Sequence, residues 1–154
     1  TYVLLSGVSY VMKEVTKIIL GASSMMANGA AASRVGTACV AMMANNYHKP
    51  VIFCCETYKF TPRVQLDSIV DNEMLDPDEL SKNLYMEQVS MNSSNTNAYN
   101  SLKNWKENNY LNLLNIAYDF TPCKFIDMII TEVGMMPASS VPVIIREYEA
   151  AIND

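Results

Sequence analysis

Two polar stretches of the chain carry side chains able to bind a small anion. The first is Gly21–Arg34 and the second is Glu56–Arg63, and each follows an apolar, β-prone run. In an open α/β sheet, ligands bind beyond the carboxyl ends of the strands, where loops and helix N-termini present polar groups. We therefore expect the two stretches to face each other at one sheet edge. The side chains singled out there are those of Asn28, Ser33, Arg34 and Lys59.

The same side chains also have purely structural explanations. Asn28-Gly29 is a typical turn pair, and Arg34 is then a solvated helix residue. Glu56 would pair with Lys59 or with Arg63. No dinucleotide-binding, P-loop, zinc-protease or nucleophile-elbow motif occurs, so the sequence supports neither a cofactor enzyme nor a hydrolase. We expect no cofactor and no metal, and both explanations of the polar stretches stay open.

The elements that would position these stretches form a strand, helix, strand crossover. Lys17–Ala22 and Val51–Cys55 are apolar runs without polar alternation, as in strands buried on both faces. Between them, apolar residues recur at helical spacing and predict a helix from Ala32 to about Asn46. Parallel strands need a connection of about a dozen residues. The pattern predicts an α/β domain whose parallel sheet is covered by helices.

Flanking segments add further predicted elements. Tyr2–Leu5 is predicted to be a strand, and Ser9–Val15 a short crossover helix. Leu114–Phe120 is predicted to be a buried strand. A helix would follow with Thr121 as its N-cap and continue to about Val133, with Gly134 as its stop.

The middle of the chain is polar, with ten Asn residues between Asn83 and Asn115. We predict a polar Asn-rich loop at about 83–110, within a single domain that spans 1–154. Trp105 is interpreted as an anchor that pins this loop, and His48 as a helix-capping or surface residue. For the closing stretch, 139–149, strand and helix both stay open.

Composition narrows the function classes. The net charge of −5 and the pI near 4.8 argue against a nucleic-acid partner, which requires clustered Lys and Arg. No apolar run approaches the roughly 18 residues that span a bilayer. No basic segment precedes the first apolar residues, as it would in a signal peptide. We expect a soluble protein without nucleic-acid or membrane partners.

The cysteines show no repeated CxxC spacing for zinc. Three of the four fall in segments predicted to be buried, so we interpret them as free core thiols of a cytoplasmic protein. The sequence lacks an initiating Met, and the apolar Tyr2–Leu5 run stands at its edge. We therefore expect part of a longer chain.

Five separated blocks of the sequence resemble one superfamily. They are Gly21-Ala22 with Ala27-Asn28-Gly29 and Ser33-Arg34-Val35-Gly36-Thr37, then Cys55-Glu56-Thr57-Tyr58-Lys59-Phe60, Tyr118-Asp119-Phe120-Thr121-Pro122, Ile130-Thr131-Glu132-Val133-Gly134 and Ser139-Ser140-Val141-Pro142-Val143. This superfamily comprises the regulatory subunits of eukaryotic translation initiation factor 2B and certain sugar-phosphate isomerases. The Ser-Arg-Val-Gly-Thr and Cys-Cys-Glu-Thr-Tyr-Lys-Phe blocks resemble its delta-type subunits.

The resemblance implies a Rossmann-like C-terminal domain with helices on both faces of a parallel sheet. It also implies a non-catalytic regulatory subunit of the guanine nucleotide exchange factor for translation initiation factor 2. Such a subunit assembles with other initiation factor 2B subunits, beta-type first, forms dimers through this domain, and senses phosphorylated initiation factor 2. The related isomerases carry an aspartate directly after the Gly-Ala pair, and the matching residue here is Ser23. A hydroxyl cannot replace a carboxylate in proton transfer at neutral pH.

The resemblance further implies a remnant anion pocket. The family's Asn-Lys pair at the helix start matches Ser33-Arg34, and its lysine in the second stretch matches Lys59. A sugar-phosphate isomerase of the ribose 1,5-bisphosphate type is the alternative function. A bare anion-sensing domain is a third.

Overall fold

The computed structural model describes residues 1–66, 70–81, 102 and 104–153. Contacts divide the chain into two compact units, the first made of residues 1–72 and 118–154 and the second of residues 73–117. Of the predicted polar loop at 83–110, residues 83–101 and 103 lie outside the described residues. The single domain over 1–154 stays a prediction.

The described residues form eight strands and four α-helices. The strands are β1 (Ile18–Gly21), β2 (Ser24–Met26), β3 (Ala31–Arg34), β4 (Val51–Cys54), β5 (Phe60–Thr61), β6 (Tyr118–Thr121), β7 (Met128–Thr131) and β8 (Gly134–Met136). The helices are α1 (Val8–Val11), α2 (Thr37–Asn46), α3 (Asp78–Ser81) and α4 (Val141–Asn153). Short 3₁₀ turns lie at Leu5–Gly7, Thr57–Lys59, Trp105–Glu107, Cys123–Phe125 and Ala138–Ser140.

The first sheet has the strand order β1-β4-β7-β8, in which β1, β4 and β7 run parallel and β8 pairs antiparallel with β7. The predicted strands at Lys17–Ala22 and Val51–Cys55 are confirmed, with Ile18 opposite Val51. Phe53 and Ile129 are completely buried in the core of this unit. Such β-branched and aromatic side chains fill a parallel sheet that is packed from its faces. The predicted α/β class is confirmed.

The second sheet has the order β5-β2-β3-β6 and corrects the prediction for the helix start. The helix predicted from Ala32 begins only at Thr37, because Ala31–Arg34 is a strand that pairs antiparallel with both β2 and β6. Alanines favour a helix locally, but strand neighbours on both sides determine the conformation. Gly36 separates strand from helix with φ 102°, a left-handed conformation that glycine adopts readily.

The helix predicted from Thr121 to about Val133 is wrong. Thr121 ends β6, and the following residues form one 3₁₀ turn and then β7. Ile129 of β7 lies opposite Phe53 in a buried parallel pair, so burial against β4 overrides the helix-start pattern. Gly134, with φ 128°, opens β8 and forms a hairpin with β7 instead of ending a helix. The strand predicted at Leu114–Phe120 begins only at Tyr118.

The N-terminal strand predicted at Tyr2–Leu5 is also wrong. Leu5 begins a 3₁₀ turn, and its side chain packs on Gly36, where a Cβ atom would lie 2.7 Å from Leu5 Cδ2. Tyr2 is 93% exposed and pairs with none of the described strands. The predicted helix at Ser9–Val15 is present only as α1, which spans Val8–Val11.

The closing stretch, for which strand and helix were both open, is the helix α4. It buries Val141 completely and packs Ile145 against the core. Pro142 stands in the first turn, where its missing N–H costs nothing. Among the helices in the described part of the chain, none has the length and apolar character to span a bilayer.

The second unit is held by local contacts around Asp78. Met74 and Ile116 form an antiparallel bridge. The Asp78 carboxylate accepts hydrogen bonds from Trp105 Nε1 at 2.9 Å and from Lys106 Nζ at 2.7 Å. Trp105 is therefore fixed to α3 within this unit, and its role as an anchor of the Asn-rich loop stays a prediction.

Candidate functional site

A cleft of about 300 Å³ lies at the carboxyl ends of the parallel strands β1, β4 and β7. It is lined by residues 21–22, 54–56, 59 and 130–132. Each group directly follows or ends one of these strands, as expected for ligand sites of open α/β sheets. The two polar stretches lie side by side, because Met25 of β2 pairs with Phe60 of β5. Their predicted juxtaposition is confirmed.

Lys59 is the cation of this cleft, and a neighbouring carboxylate already binds it. Lys59 Nζ lies 2.7 Å from Glu56 Oε2. Their hydrogen bond raises the pKa of Lys59 and lowers the pKa of Glu56. Glu56 is half exposed, so solvent screens the pair and limits its contribution to stability. The ammonium group has a partner before any ligand arrives.

Glu132 adds a second carboxylate, held by Thr57. The Thr57 N–H lies 3.1 Å and 3.0 Å from the two carboxylate oxygens, and the Thr57 hydroxyl donates to one of them. These hydrogen bonds, with that of the hydroxyl first, lower the pKa of Glu132. Thr57 Oγ1 is also hydrogen-bonded to the Tyr148 hydroxyl at 3.1 Å. The network joins the end of β7 to α4 through the turn after β4.

Cys55 also lines the cleft, but its thiol is a poor nucleophile. Burial raises its pKa to about 11. Lys59 lowers this pKa by a smaller amount, and the carboxylates of Glu56 and Glu132 raise it slightly. The thiolate is the reactive species, and at neutral pH almost none is present. With Lys59 opposed by Glu56 and Glu132, the formal charge of the cleft is negative. Neither feature favours phosphate binding or nucleophilic catalysis here.

The four predicted site residues do not meet in one pocket. Lys59 lines the cleft, whereas Asn28 Oδ1 accepts the Ala30 N–H at 3.1 Å within the β2–β3 turn. Ser33 is buried, and its hydroxyl donates to the Gly21 carbonyl oxygen at 2.8 Å. The Arg34 guanidinium lies 5.5 Å from the centre of the Tyr118 ring. The anion pocket built from these residues stays a prediction.

Ser23 lines a second cleft, of about 200 Å³, on the outer face of the β5-β2-β3-β6 sheet. Tyr118, the partner of Arg34, lines it as well. Arg63 is also part of its wall, and its guanidinium bonds Asp71 at 3.0 Å. Ser23 is exposed and its backbone N–H donates to the Ala32 carbonyl oxygen. Ser23 and Lys59 therefore line different clefts.

The N-terminus of α2, predicted to receive an anion, is occupied by a side chain of the protein itself. Asp119 Oδ2 accepts the N–H of Gly36 at 2.7 Å and that of Ala38 at 3.0 Å. Burial raises the pKa of Asp119, and these two hydrogen bonds oppose that effect. Neither Asp119 nor Glu132 is predicted from the sequence to have these roles. Their signal was present in the Tyr-Asp-Phe-Thr-Pro and Ile-Thr-Glu-Val-Gly blocks, without indicating their partners.

The four cysteines are free, and their burial differs from the prediction. Only Cys55 is buried, while Cys39 and Cys54 are exposed and Cys123 is intermediate. Cys54 is at the end of β4 and Cys55 follows it, so their side chains point to opposite faces of the sheet. No group of three or more possible metal ligands occurs among the described residues.

Parallel strands, a crossover helix and a polar cleft at the strand ends define a Rossmann-like domain. A sequence model of the Initiation factor 2 subunit family matches residues 1–138, and the chain belongs to this family. The resemblance that the five sequence blocks indicated is thereby confirmed.

The curated relatives include members of both branches of the family. The translation initiation factor eIF2B subunit delta of Dictyostelium discoideum is 49% identical over 99% of this chain, and that of Schizosaccharomyces pombe is 43% identical over 97%. The ribose 1,5-bisphosphate isomerase of Pyrococcus furiosus is 34% identical over 95% of this chain. The chain spans only 23%, 30% and 40% of the lengths of these three proteins.

Solved structures support the fold. The crystal structure of eIF-2B subunit delta from A. fulgidus matches with a TM-score of 0.68 and 22% identity, covering 95% of this chain and 38% of that one. The tetrameric eIF2B-beta2-delta2 complex from C. thermophilum matches with a TM-score of 0.57 and 20% identity, covering 92% of this chain and 34% of that one.

Proposed function

We propose that this chain is part of a non-catalytic regulatory subunit of the guanine nucleotide exchange factor for translation initiation factor 2. The observation that carries the proposal is the difference in identity between the two branches. The delta subunits are 43–49% identical to this chain, and the ribose 1,5-bisphosphate isomerases are 31–34% identical. The subunit acts by assembly with its partners and by sensing phosphorylated initiation factor 2.

The chemistry of the cleft supports a role without catalysis. A phosphorylated sugar needs cationic or N–H donors that are free to bind it. Lys59 is bound to Glu56, and the N-terminus of α2 is bound to Asp119. The residue that matches the catalytic aspartate of the isomerases is Ser23, which cannot serve as a general base at neutral pH.

The partners of the proposed subunit are other initiation factor 2B subunits, beta-type first, and initiation factor 2 in the cytoplasm. A chain of the tetrameric eIF2B-beta2-delta2 complex has a similar fold, and the presence of beta and delta subunits in that complex supports assembly of this kind. The net charge of −5 is unfavourable for nucleic acid, and we propose neither a nucleic-acid nor a membrane partner. Dimers form through this domain.

Affinity purification of the longer protein that contains this chain tests the proposal. We expect a beta-type subunit to co-purify in fixed proportion, and exchange on initiation factor 2 to respond to phosphorylation only when the protein is present. A strictly monomeric full-length protein in its native extract would contradict the proposed assembly.

A sugar-phosphate isomerase of the ribose 1,5-bisphosphate type is the second candidate function. The identity of 34% to the Pyrococcus furiosus isomerase favours it, as does Lys59 in the cleft. An assay of the longer protein with ribose 1,5-bisphosphate decides between the two. Turnover that is lost in Lys59→Met would replace the regulatory proposal, and no turnover is the expected result.

A remnant anion pocket that includes Asn28, Ser33, Arg34 and Lys59 is a separate proposal. Its support is the family resemblance of these positions, since only Lys59 lines the cleft. Calorimetry with sugar phosphates and nucleotides tests it, with Lys59→Met and Arg34→Met as variants. A heat of binding that is lost in each variant separately would support one pocket shared by Lys59 and Arg34. A bare anion-sensing domain would give such heat without any partner subunit.

A further inference from the structure

Two buried oxygen atoms on β6 have no hydrogen-bond partner within the described part of the chain. They are Asp119 Oδ1 and Thr121 Oγ1. Asp119 is 8% exposed and Thr121 is 0% exposed, so bulk water does not reach their side chains freely. Buried polar groups are nearly always hydrogen-bonded, because an unsatisfied group pays its full desolvation cost. The two atoms therefore indicate a further ligand.

The two side chains point to the same side of the sheet. Asp119 and Thr121 are two residues apart on one strand, and side chains alternate between the faces along a strand. The shared face is the inner one, because Thr121 lies opposite Ala31, which belongs to the hydrophobic core. A ligand between the two side chains would be inside the protein.

Ser33 supplies a third polar group at this position. It lies directly opposite Asp119 in the antiparallel pair and is 3% exposed. Its hydroxyl proton is used in the hydrogen bond to the Gly21 carbonyl oxygen, which leaves its oxygen able to accept another. Ala31 and Ser33, the two residues of β3 that face Asp119 and Thr121, both have small side chains. Small side chains at these two positions fill less of the inner face than larger ones would.

We propose that one internal water molecule is bound by Asp119, Thr121 and Ser33. It accepts the hydroxyl proton of Thr121 and donates its two protons to Asp119 Oδ1 and Ser33 Oγ. Three hydrogen bonds are the usual number for a buried water. With bonds of about 2.8 Å, one water joins oxygen atoms up to roughly 5.5 Å apart, which suits alternate residues of one strand.

The water gives Asp119 the role of a positioning residue with both oxygens engaged. One oxygen holds the N–H groups of Gly36 and Ala38, and the other is held by the water. The carboxylate is then fixed in the orientation that starts α2 and keeps its N-terminus closed to external anions. A divalent metal ion fits this cluster poorly, because Ca²⁺ and Mg²⁺ take six or more oxygen ligands. The cluster offers three side-chain oxygens.

A high-resolution crystal structure of the protein that contains this chain tests the proposal, together with water–amide cross-relaxation spectra of the ¹⁵N-labelled protein. We expect one density peak within hydrogen-bond distance of all three oxygens, and cross-peaks from long-lived water to backbone amides near Thr121. Thr121→Val should abolish both signals, while the matched variant Thr121→Ser, which keeps the hydroxyl, should retain them.

Three results would overturn the proposal. The first is a structure in which Thr121 Oγ1 bonds Asp119 directly with no density between them. The second is a peak that persists unchanged in Thr121→Val. The third is a peak whose occupancy follows the Na⁺ or K⁺ concentration, which would identify a cation in place of water. If Thr121→Val does not fold, the structures of the unchanged chain and of Thr121→Ser decide alone.

Discussion

Asp119 caps the helix that begins beside Gly36, although 83 positions separate the two residues in the sequence. The first N–H groups of a helix lack partners within the helix, and a local Ser, Thr, Asp or Asn usually accepts from them. The N-cap here is Gly36, which has no side chain. The carboxylate of β6 takes over this role and links the start of α2 to the edge strand of the second sheet.

Removal of this carboxylate should destabilise the protein substantially. Asp119→Ala leaves the N–H groups of Gly36 and Ala38 without their acceptor, so we expect a loss of about 2 kcal/mol in the free energy of unfolding. Asp119→Asn keeps an acceptor oxygen and should cost less than half of that. Urea denaturation followed by circular dichroism measures both. Thr37→Ala, which alters an exposed hydroxyl at the same helix start, is the control and should change stability by less than about 0.5 kcal/mol.

The Asp119 carboxyl should also make stability depend on pH in an uncommon direction. Burial raises its pKa from the usual 3.8, so the folded chain binds its proton more tightly than the unfolded chain does. Its contribution is therefore greatest below about pH 4 and declines as the pH rises through the raised pKa. In Asp119→Asn this decline should be absent. An unfolding free energy whose pH dependence is the same in both proteins would contradict the raised pKa.

His48 ends α2 in a conformation that favours glycine. Its φ is 53°, in the left-handed region. The His48 N–H donates to the Asn45 carbonyl oxygen, and the Lys49 N–H donates to the Ala44 carbonyl oxygen. This is the Schellman pattern, in which glycine usually occupies the left-handed position. His48→Gly should raise the free energy of unfolding by about 0.5–1 kcal/mol, because a side chain is strained there. His48→Ala keeps a Cβ atom and should give no gain in the same thermal or urea unfolding experiment.

The parts of the fold that follow from local pattern were predictable, and those that follow from distant pairing were not. Lys17–Ala22 and Val51–Cys55 are mostly apolar, β-prone runs, and both contain parallel strands of the first sheet, with β1 at the end of the strand order and β4 between β1 and β7. Ala31–Arg34 reads locally as helix, yet it lies between β2 and β6. The Thr-Pro pair at residue 121 is a sound helix-start signal. It fails because Ile129 is buried against Phe53 of β4.

The same distinction applies to the candidate site. Lys59 was predictable, because strand order places the residues after β4 at the ligand edge of the sheet. The contacts that alter its chemistry were not. Glu132 reaches Thr57 from 75 residues away, and Asp119 reaches Gly36 from 83 residues away. Carboxylates at such separations leave no periodic signal, so the sequence suggested an open anion site where the structure has internal partners.

Cys55 should resist thiol reagents while Cys54 reacts. Burial raises the pKa of Cys55 to about 11, whereas Cys54 is exposed. At pH 8 and low urea, we expect a thiol reagent to label Cys54 within minutes and to leave Cys55 unlabelled until the protein unfolds. Peptide mass mapping of Cys54→Ser separates the adjacent sites. Rapid labelling of Cys55 in that variant at pH 8 would contradict both the burial of its thiol and the raised pKa.

Glu132 should stabilise the fold at neutral pH and lose this effect in acid. Its pKa is lowered by the hydrogen bonds from Thr57, so its contribution is present above about pH 4.5 and disappears as the pH falls through the lowered pKa. Glu132→Gln should lower the urea midpoint at pH 7, and its difference from the parent protein should shrink steadily as the pH falls below about 4.5. Glu132→Asp keeps the negative charge but shortens the side chain. If the hydrogen bonds from Thr57 are responsible, this variant should also lose the part of the stability that disappears in acid.

The hydroxyl network around Thr57 should make Glu132 and Tyr148 energetically coupled. Thr57 Oγ1 is hydrogen-bonded to both side chains, so removal of either partner weakens the orientation of that hydroxyl for the other. In a double-mutant cycle, the combined urea-midpoint shift of Glu132→Gln and Tyr148→Phe should be smaller than the sum of the single shifts. Repeating the cycle in Thr57→Val should make the shifts additive. Additive shifts with Thr57 intact would instead show that the end of β7 and α4 are stabilised independently.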